Sequence, residues 1–337
     1  MSYILKIYIK YKEKVVTGMR EALKNNCDLF VENYYELRKS FKWNNAINAR
    51  TGALLCALEG RKADPLAINR CRKIISDNTS TISQFKDITN FMVSIILTFQ
   101  PEPEKVFGSA LQAYRDMKKE GFHSSPYLVL AAFALVLEAE PQDHQKLITS
   151  ARSYYNAMKE EHRFITGSND YCYSALLAMN DKPAAENLVE MEHCFAKLSE
   201  SFTHSNAIQS LSHIMTLSNE AVEVKCARAV ELYQALRERK CRFGLGTELS
   251  FIGVSILLNE DIGRLADEIA EVDRYLSEKR GFGTWSVLHK ERIMYAIAVV
   301  YGSHLNSVEK KTMEMILMNN ITGIIRSQQV TTVTAAT

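Results

Sequence analysis

The feature that most constrains this chain is a phrase that returns about every 40 residues. Residues 113–122, 154–164, 195–202, 233–243 and 275–282 each end an amphipathic helical pattern, pass through a charged turn and arrive at a phenylalanine. The apolar residues before those turns, Met117, Met158, Leu198, Leu236 and Leu276, are spaced by 41, 40, 38 and 40. Leu37 and Ile75 extend the series towards the start at intervals of 38 and 42. A repeat of this length is the mark of stacked supersecondary units, none of which buries its apolar face alone.

Each unit reads as a helical hairpin. Its first helix ends at the anchor, and its second is apolar nearly all round, as in Tyr127-Leu128-Val129-Leu130-Ala131-Ala132-Phe133. Such a helix suits an inner layer between neighbours. Ser124-Ser125-Pro126 and Ser168-Asn169-Asp170 supply helix-start chemistry at two turns, and the recurring Phe is expected to fill the gap where each turn folds back. With only 14 Gly and 6 Pro in 337 residues, turn-rich β architectures are disfavoured. The expected fold is all-α: about seven hairpin units stacked as an α-solenoid, with a closed α/α toroid as the alternative the same period permits. Helix should account for two-thirds of the chain or more.

Four segments follow. Residues 1–24 form an N-terminal extension, helical in part, and residues 25–304 the helical-hairpin repeat domain. Residues 305–330 form a C-terminal capping helix, and residues 331–337 a tail. Lys6 and Lys10 interrupt the only signal-like apolar run, and no uncharged stretch reaches the roughly 18 residues of a membrane span. Seven cysteines, at 27, 56, 71, 172, 194, 226 and 241, include no Cys-x-x-Cys. They read as buried thiols in a reducing compartment, and the expected location is cytoplasmic.

Charge bounds the partner. The chain carries 41 basic and 39 acidic side chains, a net charge of +2. Nucleic-acid binders gain affinity by releasing counterions and carry a clear basic excess. Here that excess is confined to the first fifty residues, with ten Lys/Arg against five Asp/Glu. Residues 110–121 resemble a helix of the pentatricopeptide repeats, which read single-stranded RNA, but that module keeps a shorter and steadier period. A protein or peptide partner is favoured over RNA.

Catalytic signatures are absent from the sequence. It has no phosphate-binding glycine loop, no nucleophile elbow and no His-x-x-x-His; Gly244-Leu245-Gly246 reads as a turn before a helix. No catalytic residue, metal ligand or cofactor is therefore assigned. One second helix stands out for polarity. Asn206 opens it, and Gln209, Ser212 and His213 form a stripe at i, i+3 and i+4. The stripe faces solvent, lines a cavity or belongs to a structural network. Asp170, which starts the preceding unit's second helix, is placed to meet it, and Glu248 occupies the equivalent place two units on. Near the last unit, Trp285, His289 and Arg292 gather at a helix start, with Trp285 and His289 expected on one face. These eight residues, Asp170, Asn206, Gln209, His213, Glu248, Trp285, His289 and Arg292, are the candidate ligand-binding positions. The leading reading is a non-enzymatic binding or scaffolding protein; the alternative is a small-molecule-binding or enzymatic toroid in which Asp170, Gln209, His213, Glu248 and Arg292 converge on a central pocket.

Several phrases in order resemble the DUF4003 family, a bacterial all-helical domain of unknown function. They are Phe41-Lys42-Trp43, the stretch 158–171, residues 206–213, Gly281-Phe282-Gly283-Thr284-Trp285-Ser286, and Gln328-Gln329. The resemblance spans about residues 25–330. It implies a helical fold and carries no activity or catalytic residue with it.

Overall fold

A computed structural model describes residues 19–304 and 309–334, apart from Trp43, Asp181 and Asn259. Most of the N-terminal extension lies outside the described residues. Helical content is 75%, above the expected two-thirds, and no strand occurs among the described residues. Seven hairpins pair α1 (Glu21–Ser40) with α2 (Ala46–Leu58), α3 (Pro65–Asn78) with α4 (Asn90–Thr98), and α5 (Pro103–Lys119) with α6 (Pro126–Glu138). They continue as α7 (His144–Glu161) with α8 (Tyr171–Ala178), α9 (Ala184–Ser199) with α10 (Ser205–Thr216), α11 (Val222–Glu238) with α12 (Ser250–Ile256), and α13 (Ile262–Ser277) with α14 (His289–His304). One more helix, α15 (Glu309–Thr334), follows.

Local chemistry explains the helix starts. Ser125 accepts the Leu128 amide at 3.1 Å ahead of Pro126, and Asp64 caps α3 ahead of Pro65 in the same way. These side chains satisfy amide donors that the first helical turn leaves unpaired. All seven anchors, from Leu37 to Leu276, are fully buried. Gly121, in the left-handed region at φ +98°, ends α5 and lets the Phe122 amide donate back to the Met117 carbonyl at 3.1 Å. The turn phenylalanines 41, 122, 202, 243 and 282 are buried as expected. Phe164 is not: it is almost fully exposed, and Thr166 closes that turn by donating to the Met158 carbonyl at 3.0 Å. The longer turn of that hairpin brings Thr166, two residues further on, to the gap.

The hairpins do not end as an open stack. First helices contact in sequence from α1 to α13, and α13 in turn packs against α1; α14 likewise packs against α2. At this junction Phe282 lies edge-on to Phe30 and Tyr34, with centroids 5.0 and 4.8 Å apart. Arg20 pairs with Glu268 at 2.8 Å, Tyr275 donates to Asp28, and Gly302 meets Leu58 so closely that a Cβ there would lie 2.2 Å from a Leu58 methyl. The series closes into a ring, the arrangement held open as the alternative, with first helices outside and second helices inside. Between α4 and α6 the short 3-10 turn Gln84–Lys86 helps complete the wall, through Phe85 against Phe133.

The C-terminal helix sits inside that ring. Instead of crossing the end of a stack, α15 packs against α2, α6, α8 and α12, which belong to four different hairpins. Residues 314–322 are buried without a break, so this stretch meets protein on every side. Closure explains the difference from a terminal cap, because an open stack has no enclosed axis to fill.

Candidate functional site

The polar stripe of α10 faces inward. Gln209, Ser212 and His213 are each about 1% exposed, which removes the solvent-facing option. Ser212 donates to the Gln209 carbonyl at 2.8 Å, and Gln209 Nε2 donates to Thr166 Oγ1 at 2.8 Å. His213 leans on the Tyr173 ring, and its Nδ1 lies 3.5 Å from Oδ1 of Asp170. Asp170 closes the 3-10 turn Ser168–Asp170, its other oxygen accepting the Gly167 amide at 2.9 Å. Three of the predicted residues, Asp170, Gln209 and His213, therefore meet at the wall of the lumen, where α15 brings up Asn319 and Asn320. Tyr173 donates to Asn320 Oδ1 at 2.6 Å, and Asn319 donates to the Asn169 carbonyl at 3.1 Å.

Burial decides the charge of this cluster. It pushes the Asp170 carboxyl up to about 7, with the Gly167 amide opposing, and pulls the His213 imidazole down to about 3, helped by the nearby His162. A neutral acid beside a neutral imidazole is the resulting state through mildly acidic pH. Asp170 Oδ1, both His213 nitrogens, Gln209 Oε1, Asn319 Oδ1 and Asn320 Nδ2 make no hydrogen bond to protein among the described residues. Buried polar atoms of this kind are ordinarily matched by water or a ligand.

The other candidates lie elsewhere. Glu248, buried in the turn Thr247–Leu249, pairs with Lys290 at 2.9 Å, its carboxylate lying against Gly244. A Cβ at 244 would sit 1.8 Å from Glu248 Oε1, which gives the Gly244-Leu245-Gly246 turn its reason. Asn206 is exposed at the start of α10. Arg292 and His289 both turn to Asp273, at 2.7 and 3.1 Å, and Arg292 also donates to the Phe282 carbonyl at 3.3 Å. The five residues expected on one central pocket thus separate into an interior group and two paired groups. Helix α14 begins at His289, so Trp285 belongs to the loop before it and shares no helical face with His289.

That loop is held at the ring junction. Arg50, buried in the apolar helix α2, spans to it with a planar fork. Its Nη2 donates to the carbonyls of Gly281 at 2.7 Å and Ser286 at 2.6 Å, while Nε also reaches Gly281 at 3.0 Å. Gly281, at φ +86°, backs onto Tyr34, where a Cβ would lie 2.4 Å from the ring. Between those two anchored carbonyls Trp285 is fully exposed, at 103%. Beside it runs a groove of about 770 Å³ lined by Tyr34, Tyr35, Arg38, Lys39, Arg280, Gly281 and Ser286. Sequence reading missed Arg50, Asp273 and the two asparagines of α15. Arg50 did leave a signal, as the lone charge in the otherwise uncharged run 46–58.

No group of three or more His, Cys, Asp or Glu side chains placed to hold a metal occurs among the described residues. No helix among them is long and apolar enough to cross a membrane.

Architecture and geometry together define an all-helical ring of hairpins with its own helix in the lumen and an aromatic-cationic groove at the junction. The chain belongs to the DUF4003 family, proteins of unknown function, whose model matches residues 33–330. It is also similar to an uncharacterized protein, YeaA, of Bacillus subtilis strain 168, with 24% identity over 216 residues, covering 62% of this chain and 65% of that protein. No solved structure matches.

Proposed function

We propose that this is a non-enzymatic binding protein that docks a peptide or protein partner where the ring of hairpins closes. The observation that carries the reading is Trp285, fully exposed on a loop whose backbone a buried arginine holds at both ends. Exposed tryptophan, tyrosine and arginine are the side chains that dominate binding energy at interfaces, and a loop fixed beforehand loses little entropy on docking. The groups suited to chemistry support the same reading, because Asp170 and His213 are sealed from solvent while Glu248, His289 and Arg292 are engaged by Lys290 and Asp273.

The test uses the full chain with Trp43→Phe, leaving Trp285 as the sole tryptophan. Its emission is followed against three synthetic twelve-residue peptides, one rich in Asp and Glu, one neutral and apolar, one rich in Lys. A blue shift with any of them, lost in binding assays on Trp285→Ala, is the expected result. Silence from all three overturns the reading.

A second reading, a small-molecule binder with an interior polar pocket, is favoured by the unpaired atoms of Asp170, Gln209 and His213. It requires a metabolite or nucleotide that raises Tm by mass action in a thermal-shift screen, with the effect lost in His213→Gln.

A further inference from the structure

We infer that the segment docked at the junction is an acidic peptide, held through its carboxylates by Arg38, Lys39 and Arg280 and through an apolar side chain by Trp285. The inference rests on the docking reading above and names the chemistry of its partner.

Charge is the first argument. The groove lining contains three cations and no carboxylate. Some surface Lys and Arg are satisfied within the chain, as Lys24 is by Asp28, Lys73 by Asp77, Lys119 by Asp116 and Arg239 by Asp267. Arg38, Lys39 and Arg280 have no ion-pair partner among the described residues. Arg38 gives one hydrogen bond to the Asn44 carbonyl, at 2.6 Å. In a chain with a net charge of only +2, three unpaired cations on one groove form a local field that steers and retains a carboxylate-bearing partner.

Shape and preorganisation are the second. The cations come from the two elements that the ring closure brings together, α1 and the loop after α13, so the groove exists only in the closed ring. Tyr35 is 41% exposed on the α1 side, and Leu288 is 57% exposed just beyond Trp285. Tyr35 lines the groove with the cations, and Trp285 and Leu288 sit either side of the groove-lining Ser286 in sequence. The arrangement suits one extended peptide that lays an apolar residue on Trp285 and carboxylates over the arginines.

Nucleic acid is the competing polyanion. Three cations neutralise too few phosphates for appreciable affinity at physiological salt, and the single exposed indole offers one stacking platform where single-strand binders present several.

The experiment titrates the Trp43→Phe chain with the Asp/Glu-rich peptide carrying one central leucine, and in parallel with the neutral peptide, the Lys-rich peptide and a twelve-nucleotide single-stranded DNA. The acidic peptide should bind at least tenfold more tightly than the other three, and more weakly as salt rises. Arg280→Gln and Lys39→Gln should each weaken it about fivefold without moving Tm. Trp285→Ala should weaken it by about thirtyfold. Preferential binding of the neutral or Lys-rich peptide through Trp285 overturns the acidic assignment while leaving the docking surface in place. Preference for the oligonucleotide overturns it in favour of nucleic acid. Self-association in sedimentation that Trp285→Ala abolishes overturns it in favour of a second copy. Silence from all four probes fails the docking reading itself.

Discussion

His213 Nδ1 and Asp170 Oδ1 lie 3.5 Å apart with neither residue more than 1% exposed, and burial moves the two groups in opposite directions. The consequence is a stability that the pair leaves flat over a range where each partner alone would tilt it. Asp170 rises from 3.8 to about 7 on folding, so its contribution is present below 3.8 and lost as pH climbs to 7. His213 falls from 6.5 to about 3, so its contribution is present above 6.5 and lost as pH drops to 3. Between about pH 4 and 6.5 one proton is released and one taken up on unfolding, and the two slopes cancel.

Removing one partner should expose the other. Relative to the unmodified chain, Asp170→Asn should lose about 1.4 kcal/mol per pH unit as pH falls from 6.5 towards 4. His213→Gln should lose a similar amount per unit as pH rises from 4 towards 7. Urea denaturation at five pH values reads both slopes. A His213 that titrates near 6 in the folded chain, followed by its ring proton shifts, would contradict the account.

Arg50 carries the loop that presents Trp285. Arg50→Leu leaves the half-buried Gly281 carbonyl and the carbonyl of exposed Ser286 without their donor, at roughly 0.5–1.5 kcal/mol for each hydrogen bond lost. Arg50→Lys should recover little, because an ammonium does not reproduce the planar fork that reaches both carbonyls. Amide exchange should quicken in residues 281–287 in both variants, and unchanged exchange would show that the loop is held by Phe282 alone.

The thiols should be inert in the native state with one exception. All seven cysteines are free and buried. Burial pushes Cys27, Cys56 and Cys172 up to about 12, and Cys71 and Cys241 to about 11. Cys226 goes the other way, because the Cys194 thiol donates to it and Lys225 stands nearby, and Cys194 is raised in turn. Thiolate is the reactive form. In a slow labelling series at pH 8, peptide mapping should find Cys226 modified first, and early modification of Cys56 or Cys172 would sink the argument.

How far the sequence carried depends on whether a feature is local. The anchor period was legible because each hairpin repeats the same local problem, and all seven anchors are buried where the period put them. The polar stripe of α10 was legible too, but its inward direction was not, because an amide, a hydroxyl and an imidazole on one helix face can equally meet water, a cavity or a network. Closure was not, because it depends on residues 20–58 meeting residues 268–302, set by small rotations accumulated over seven units. The interior seat of α15 follows from closure and was hidden with it. The face shared by Trp285 and His289 failed on a boundary, because the backbone between them is a turn and the helical i, i+4 relation does not apply. Phe164 failed because Thr166, by back-bonding to Met158, does the closing that a phenylalanine does in other turns.

The seat of α15 in the lumen can be tested by a double-mutant cycle on Tyr173 and Asn320. The phenol donates to the amide oxygen at 2.6 Å between two fully or nearly buried residues. Asn320→Leu takes away the acceptor of the Tyr173 hydroxyl, and Tyr173→Phe takes away the donor to the Asn320 oxygen, so each should cost roughly 1–3 kcal/mol. The double change removes both polar groups together and should be close to neutral relative to either single one, since apolar replacement of both partners avoids the desolvation cost of an orphan. A coupling of about 1–2 kcal/mol in urea denaturation places α15 against α8 in solution. Additive single effects would mean that the two side chains do not meet, and that the C-terminal helix occupies some other position.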